Sequence, residues 1–241
     1  MKKQKNQIIN FYELEDVKAF FVKHHNPSYD FNTMPLKHPL HMLICGSTGS
    51  GKSNILLNII KMMDSTFNGI KIFTQNKEEP LYEYLESIIE KPYLEIYEGL
   101  GELQKMELDK LEKAQWLFIF DDMVAEKNQK IIEHLFIRGR KLAQKGGISC
   151  IYLSQSYFQT PSVIRKQIGY LILKKINGKR DISSILRETS VEAEKEQLLS
   201  MFKYCVASKE DITNFLFIDL GAQENSRFRK NFDTILDVDE F

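Results

Sequence analysis

Residues 46 to 53 have the types and spacing of a phosphate-binding loop. They read Gly46-Ser47-Thr48-Gly49-Ser50-Gly51-Lys52-Ser53, which is the pattern G-x-x-x-x-G-K-[ST]. Glycine at three positions lets backbone N–H groups turn inward on phosphates where a Cβ would obstruct the approach. Lys52 is predicted to reach the β- and γ-phosphate oxygens of a nucleotide, and Ser53 to ligate Mg²⁺. The alternative is a Gly/Ser-rich structural turn.

The flanking segments have the order that this loop requires. The apolar run 40–45 precedes it and predicts a strand, and the pattern over 54–60 predicts a helix. A helix that begins near Gly51 adds the positive end of its dipole to the same anion-binding site. The order strand, loop, helix therefore favours the functional interpretation.

The acidic pair Asp121-Asp122 is the second chemical signal. It ends the uninterrupted apolar run 116–120, which is typical of a central parallel strand covered on both faces. This is the Walker B pattern, and Mg²⁺ held by Ser53 needs a carboxylate on the adjacent strand. We assign Asp121 to the metal, usually through water, and Asp122 to orienting or deprotonating the attacking water.

Two further groups of polar residues follow predicted elements. A helix over about 128–142 carries Arg138 and Arg140 near its end, and the apolar strand 148–153 leads into Ser154-Gln155. The arginines either act at a phosphate or interact with the carbonyls at the end of their own helix.

The remaining pattern predicts an α/β protein with a three-layer α/β/α architecture and a mostly parallel central sheet. An N-terminal arm, 1–37, with one short helix over about 13–24, precedes the P-loop ATPase domain 38–232, and 233–241 form an acidic C-terminal tail. Along the chain, a second predicted strand lies between the phosphate-loop strand and the Walker B strand, and the strand after Walker B ends in the polar Gln155. This order indicates the RecA-like additional-strand (ASCE) type. Further elements are predicted as strands at 69–74, 93–97, 170–173 and 215–220, and as helices from Glu79-Pro80, over 103–113 and over 181–206, with a polar segment from Gly221.

Composition limits the choice of partner and compartment. Lys plus Arg and Asp plus Glu are 33 each, so a DNA contact must come from a local patch. Lys174, Lys175, Lys179 and Arg180 around the turn signal Asn177-Gly178 are the candidate patch, and a solvated basic loop is equally compatible. No secretion signal or membrane-length apolar stretch is present, so we expect an intracellular, soluble protein.

Cysteine and histidine do not indicate a disulfide framework or a metal site. Cys45, Cys150 and Cys205 are odd in number and lie in or beside apolar runs, which predicts reduced, buried thiols. The five histidines show no metal-ligand spacing with these cysteines.

The motifs taken together resemble the poxvirus-type genome-packaging ATPases of the FtsK–HerA superfamily, found in large DNA viruses and virophages. The similarity covers about residues 35–232, and the motifs stand in the order of that family. The residues that carry it are Phe120-Asp121-Asp122-Met123-Val124, Phe136-Ile137-Arg138-Gly139-Arg140, Ile148-Ser149, Ile151-Tyr152-Leu153-Ser154-Gln155-Ser156-Tyr157-Phe158, Pro161 and Ile164-Arg165.

The resemblance implies a ring of five or six subunits that uses ATP and Mg²⁺ to thread double-stranded DNA of any sequence into a preformed capsid. It implies that Gln155 senses the γ-phosphate and that Arg140, with Arg138 in reserve, is a finger inserted into the neighbour's site. Further implied are a capsid-vertex or membrane-protein partner, assembly sites in the host cytoplasm and association with the virion.

Two departures from the pattern bear on these roles. Asp122 stands where many relatives have the longer Glu, and the segment 141–147 is longer than the equivalent turn in cellular translocases. The competing functions are a nucleotide-dependent switch or assembly factor without DNA translocation and, third, a small-molecule kinase. No lid or acceptor-binding motif favours the kinase.

Overall fold

A single mixed β-sheet is the centre of the protein. The computed structural model describes residues 9–176, 179–189, 191, 193–207 and 212–241. In these residues the strands are β1 (His41–Cys45), β2 (Gly69–Thr74), β3 (Leu94–Glu98), β4 (Trp116–Asp121), β5 (Ile148–Ser154), β6 (Tyr170–Leu173), β7 (Leu216–Asp219), β8 (Phe228–Lys230) and β9 (Thr234–Ile235). The helices are α1 (Glu15–Lys18), α2 (Lys52–Met62), α3 (Pro80–Ile88), α4 (Gly101–Lys105), α5 (Lys130–Arg138), α6 (Ser162–Arg165), α7 (Lys179–Glu188) and α8 (Lys195–Cys205).

The order of the strands is β3-β2-β4-β5-β1-β6-β7-β8-β9. The first six are parallel, and β7 to β9 extend the sheet in antiparallel fashion. This confirms the mostly parallel sheet of the additional-strand type. The expectation that the Walker B strand adjoins the phosphate-loop strand was wrong, because β5 lies between β1 and β4.

The register brings the ends of these three strands to one edge. Cys45 of β1 pairs with Ser154 of β5, and Asp121 of β4 pairs with Leu153 of β5. The phosphate loop, the acidic pair and Gln155 therefore emerge side by side at the carboxyl edge of the sheet, where open α/β folds bind ligands.

Helices cover both faces of the sheet. Alternate residues of β1 point to opposite sides, so Leu43 belongs to one hydrophobic core and its neighbours Met42 and Ile44 belong to the other. Helices α2 and α3 pack on the Ile44 side, whereas α5, α7 and α8 pack on the Leu43 side. The three layers are those predicted.

The N-terminal segment is less helical than predicted. Instead of one helix over about 13–24, the structure has a 3-10 turn at Phe11–Glu13 and the four-residue α1. Phe20 is 82% exposed, and no residue of α1 is buried. A short helix without an apolar face packed on the protein has little to stabilise it. Further along, the His25 N–H and carbonyl bond the Gln115 side chain at 2.6 and 2.7 Å, which ties this segment to the start of β4.

Two other predicted helices are shorter or broken. The pattern over 103–113 forms α4 and then a 3-10 turn at Leu108–Lys110. The helix over 128–142 ends at Arg138, and a left-handed turn follows in which Ala143, Gln144 and Lys145 have φ of 51°, 49° and 70°. Periodicity of apolar residues does not detect such breaks.

The segment from Gly221, predicted to be a polar tail, contains β8 and β9. Arg229 of β8 is 1% exposed and donates a hydrogen bond to the Phe232 carbonyl at 3.0 Å. The last residues also contact the domain, since Leu236 is buried and the Gln197 amide donates to the Val238 carbonyl at 3.1 Å. A strand of three residues with two cations lacks the apolar alternation by which strands are predicted.

The three cysteines are free and buried, as expected. None of the helices formed by the described residues combines the length and the hydrophobicity that a membrane-spanning helix needs.

Two buried histidines are expected to make a destabilising contribution to the fold in mild acid. Burial lowers the pKa of His38 and of His41 to about 4 each, from 6.5. At these two residues the unfolded chain therefore binds protons between pH 6.5 and about 4 that the folded chain does not. Asp121, whose pKa burial raises to about 6, contributes with the opposite sign. Each histidine is expected to remove about 1.4 kcal/mol of unfolding free energy per pH unit as the pH falls through this window.

Urea unfolding at pH 7.5, 6 and 5 measures this dependence. In the His38→Asn variant the part of the slope due to the two histidines should fall by about half. An identical pH dependence in the variant and the wild type would contradict the prediction.

Candidate nucleotide-binding site

The phosphate loop joins the end of β1 to the start of α2. The Gly46 N–H donates to the Ser154 carbonyl at 3.0 Å, which anchors the loop to β5. A Cβ at Gly46 would collide with the Ser50 hydroxyl and lie 2.6 Å from the Lys174 Cβ. Gly51 has φ of 87°, and a Cβ there would lie 2.6 Å from the Ile212 carbonyl oxygen. Glycine is therefore needed at both positions for this loop conformation.

The residues of the loop fit a phosphate group. The first turn of α2 contains no acidic residue, and its N-cap Gly51 has no side chain to bond the free N–H groups. The Lys52 ammonium donates to the Gly46 and Ser47 carbonyls at 2.9 and 3.4 Å. The Ser50 hydroxyl is buried and has no hydrogen-bond partner among the described residues. The uncapped N–H groups at the start of α2 and the unpartnered Ser50 hydroxyl are donors that a phosphate would bind.

Asp121 is held at the edge of the site by Tyr82. The Tyr82 hydroxyl donates to Asp121 Oδ2 at 2.7 Å, and the two side chains are 0% and 7% exposed. Burial raises the pKa of Asp121 to about 6, the Tyr82 hydrogen bond opposes the rise, and the charge of Glu79 adds to it. A carboxylate desolvated in this way would gain free energy from a nearby cation.

Asp122 and Gln155 are in contact. The Gln155 amide nitrogen lies 3.3 and 3.4 Å from the two carboxylate oxygens of Asp122. Asp122 has a left-handed backbone with φ of 53°, and its side chain is exposed. This conformation turns the chain sharply after β4. An exposed carboxylate and an amide side by side could together hold a water molecule.

Arg138 and Arg140 are not brought to this site. A Cβ at Gly139, between them, would lie 2.8 Å from the Ile148 carbonyl, at the beginning of β5, and 3.3 Å from the His41 ring. His41 begins β1, so the arginines lie at the opposite end of a strand that spans about 13 Å.

The two arginines differ in their contacts. Arg138 bonds His134 at 3.2 Å and pairs with Asp109 at 3.6 Å. Arg140 is exposed and has no hydrogen bond or ion pair with the part of the chain that the structure describes. Among the described residues neither arginine bonds the carbonyls at the end of its own helix, which was the alternative interpretation.

The structure removes Lys174 from the candidate basic patch. Lys174 is 2% exposed and donates to the Ile212 and Asn214 carbonyls at 2.5 and 2.7 Å, so its assignment to an exposed loop was wrong. Its position after the buried strand β6 explains this. Lys175 and Arg180 are exposed. The turn signal Asn177-Gly178 and the side chain of Lys179 lie outside the described residues.

The profile of the family described as Poxvirus A32 protein matches residues 28–234. The chain belongs to the Poxvirus A32 protein family. A relative described as DNA packaging protein OPG160 of Monkeypox virus is 24% identical, over 84% of this chain and 79% of its own length. The Variola virus protein of the same description is also 24% identical and is covered over 87% of its length.

Solved structures support the fold found for this member of the Poxvirus A32 protein family. The genome packaging NTPase B204 of Sulfolobus turreted icosahedral virus 2, in complex with sulfate, matches with a TM-score of 0.56 at 16% identity. The match covers 81% of this chain and 96% of that protein. The complex of B204 with ATP-gammaS matches with a TM-score of 0.55 at 17% identity, over 83% and 100% of the two chains. At this identity the comparison establishes the P-loop α/β fold.

Two residues of this Poxvirus A32 family member were not found from the sequence. Tyr82 bonds Asp121, and Asp181 bonds the segment that follows Gln155. Tyr82 lies on the helix predicted to begin at Glu79-Pro80, but its contact depends on the crossing of α3 over the sheet. No motif spacing predicts either contact.

Proposed function

We propose that this protein is an ATP-hydrolysing motor that moves double-stranded DNA into a preformed capsid during virion assembly. The observation that carries the proposal is the convergence at one edge of the sheet. The phosphate loop, the buried Asp121 and the Asp122–Gln155 pair meet there, in a family whose relatives are described as DNA packaging proteins. A switch that only binds nucleotide does not need the water-orienting pair.

Each residue has a role set by its position. The loop N–H groups and Lys52 would hold the β- and γ-phosphates, and Ser53 with Asp121 would hold Mg²⁺, Asp121 usually through water. Mg²⁺ when bound neutralises charge on the phosphate oxygens. Asp122 would accept a proton from the water that attacks the γ-phosphorus as the bond to ADP breaks, while Gln155 positions that water and senses the γ-phosphate.

Arg140 would complete the site of a neighbouring subunit, with Arg138 as the reserve. Both arginines lie far from the phosphate loop of their own chain, and Arg140 is exposed. A ring of five or six subunits would bring such a side chain to the neighbour's γ-phosphate. We propose that the ring surrounds DNA, contacts its phosphates without reading sequence, and acts in the host cytoplasm on a capsid-vertex or membrane-protein partner.

ATP hydrolysis with and without long double-stranded DNA tests the proposal. Hydrolysis should rise several-fold with DNA, the rise should shrink from 50 to 200 mM salt, and the Lys52→Ala variant should show neither basal nor stimulated activity. Single-stranded DNA of equal nucleotide concentration is the control for the duplex requirement. Slow hydrolysis that is indifferent to DNA would overturn the motor and favour the nucleotide-dependent switch or assembly factor.

A further inference from the structure

The connection between β6 and α7 is attached at both ends to the nucleotide site. At its start, the Ser47 N–H and hydroxyl of the phosphate loop donate to the Lys175 carbonyl at 2.8 and 3.0 Å. Just beyond its end, in the first turn of α7, Asp181 Oδ1 accepts hydrogen bonds from the Ser156 hydroxyl at 2.7 Å and from the Phe158 N–H at 2.9 Å. Ser156 follows Gln155 directly.

The Asp181 attachment is buried and reinforced. Asp181 is 5% exposed, so its hydrogen bonds are shielded from water and costly to lose. The guanidinium of Arg180 lies 3.5 Å from the centre of the Phe158 ring. At the other end of α7, Glu188 pairs with the buried Arg165 at 2.6 Å. Helix α7 is therefore linked to the segment 156–165 at both of its ends.

The same connection carries exposed cations. Lys175 lies just after β6, Arg180 is the second residue of α7, and both are exposed. Side chains of this kind bind the phosphates of DNA of any sequence. A displacement of the segment after Gln155 would therefore shift Arg180 through the Asp181 hydrogen bonds.

We propose that Asp181 is a positioning residue that transmits the state of the nucleotide from the end of β5 to Arg180, an exposed cation at the start of α7 that would contact DNA. The proposal rests on the proposed function, because it assumes that DNA is the partner. It differs from that function in naming the residue through which nucleotide changes DNA affinity.

The affinity of the protein for a fluorescent 40-base-pair duplex, measured by anisotropy with ATPγS and with ADP, tests the proposal. In the wild type the two affinities should differ by at least about five-fold, the lower end of usual coupling between two sites. In Asp181→Ala the ratio of the two DNA affinities should approach one. The variant should still bind ATPγS itself as tightly as the wild type. Asp181→Asn should restore the ratio, since both hydrogen bonds end on Oδ1, which asparagine keeps as an acceptor.

Two more variants separate coupling from folding. Ser156→Ala removes one of the two hydrogen bonds with a smaller change and should lower the ratio partway. Thr189→Ala is the matched control, because it removes a hydrogen bond to the Ile185 carbonyl on the same helix and should leave the ratio unchanged. Thermal unfolding shows whether each variant is folded.

Failure of the proposed role of Asp181 and failure of the proposed motor would give different results. If DNA stimulates wild-type hydrolysis but Asp181→Ala and Ser156→Ala keep the wild-type affinity ratio, the role of Asp181 is overturned and the motor stands. If DNA neither binds nor stimulates the wild type, the motor is overturned, and the role of Asp181 falls with it.

Discussion

Arg140→Ala is expected to lower the DNA-stimulated rate of ATP hydrolysis about 10³- to 10⁵-fold, the effect of removing an arginine finger in other phosphoryl-transfer enzymes. Arg140 lies at the opposite edge of the sheet from its own phosphate loop, so its charge would stabilise the transition state only in a neighbouring subunit. Nucleotide binding should change little. Steady-state hydrolysis and ATPγS affinity measure the two effects.

Mixed subunits test whether the arginine acts on a neighbour. Lys52→Ala has an intact finger and a defective site, and Arg140→Ala has the reverse, so mixing the two inactive proteins should restore part of the activity. Arg138→Ala is the matched control, because Arg138 already bonds His134 and Asp109 in its own chain. Full loss in Arg138→Ala with an active Arg140→Ala would transfer the role to Arg138, and no recovery on mixing would refute action in trans.

Asp122→Asn is expected to lower the rate of hydrolysis about 10²- to 10⁴-fold, the usual contribution of a general base. Asparagine keeps the size of the side chain and the contact with Gln155, but it cannot accept the proton of the attacking water. ATP should still bind, so the variant should accumulate as an ATP complex. Single-turnover hydrolysis and nucleotide content after gel filtration measure both results.

Glu126→Gln is the matched control for Asp122. Glu126 is an acid on the same segment after β4, and it bonds Gln75 at 2.7 Å. Its amide variant should hydrolyse ATP at about the wild-type rate. If both amide variants lose activity equally, or neither does, Asp122 is not the base.

The central part of the fold was predictable because the local signals there agree with one another. The uninterrupted apolar run 116–120 is typical of a strand buried on both faces, and the glycines with Lys52 fit a phosphate loop that follows a strand and precedes a helix. Segments stabilised by contacts distant in sequence were not predictable. Strand β8 is an example, since Arg229 is buried there although its type favours exposure.

The candidate site was predictable in its residue types but not in its geometry. Motif order identified Asp121, Asp122 and Gln155, and the strand order places them together. The hydrogen bond from the Tyr82 hydroxyl to Asp121 depends on how α3 packs against the sheet. The distance of Arg140 from the phosphate loop depends on where α5 ends. The spacing of residues within a motif predicts neither the Tyr82 contact nor the position of Arg140.

The two outer strands of the sheet bear on how subunits of the proposed ring would contact one another. At one edge, β3 carries Glu95 and Glu98, and at the other, β9 has only two residues. Short or charged outer strands resist pairing with a strand of another molecule, which protects against aggregation. In the proposed ring, copies of this chain would therefore meet through side chains on their flanks. If the chain works as the proposed motor, contacts of that kind would form and release in each cycle without breaking backbone hydrogen bonds shared between molecules.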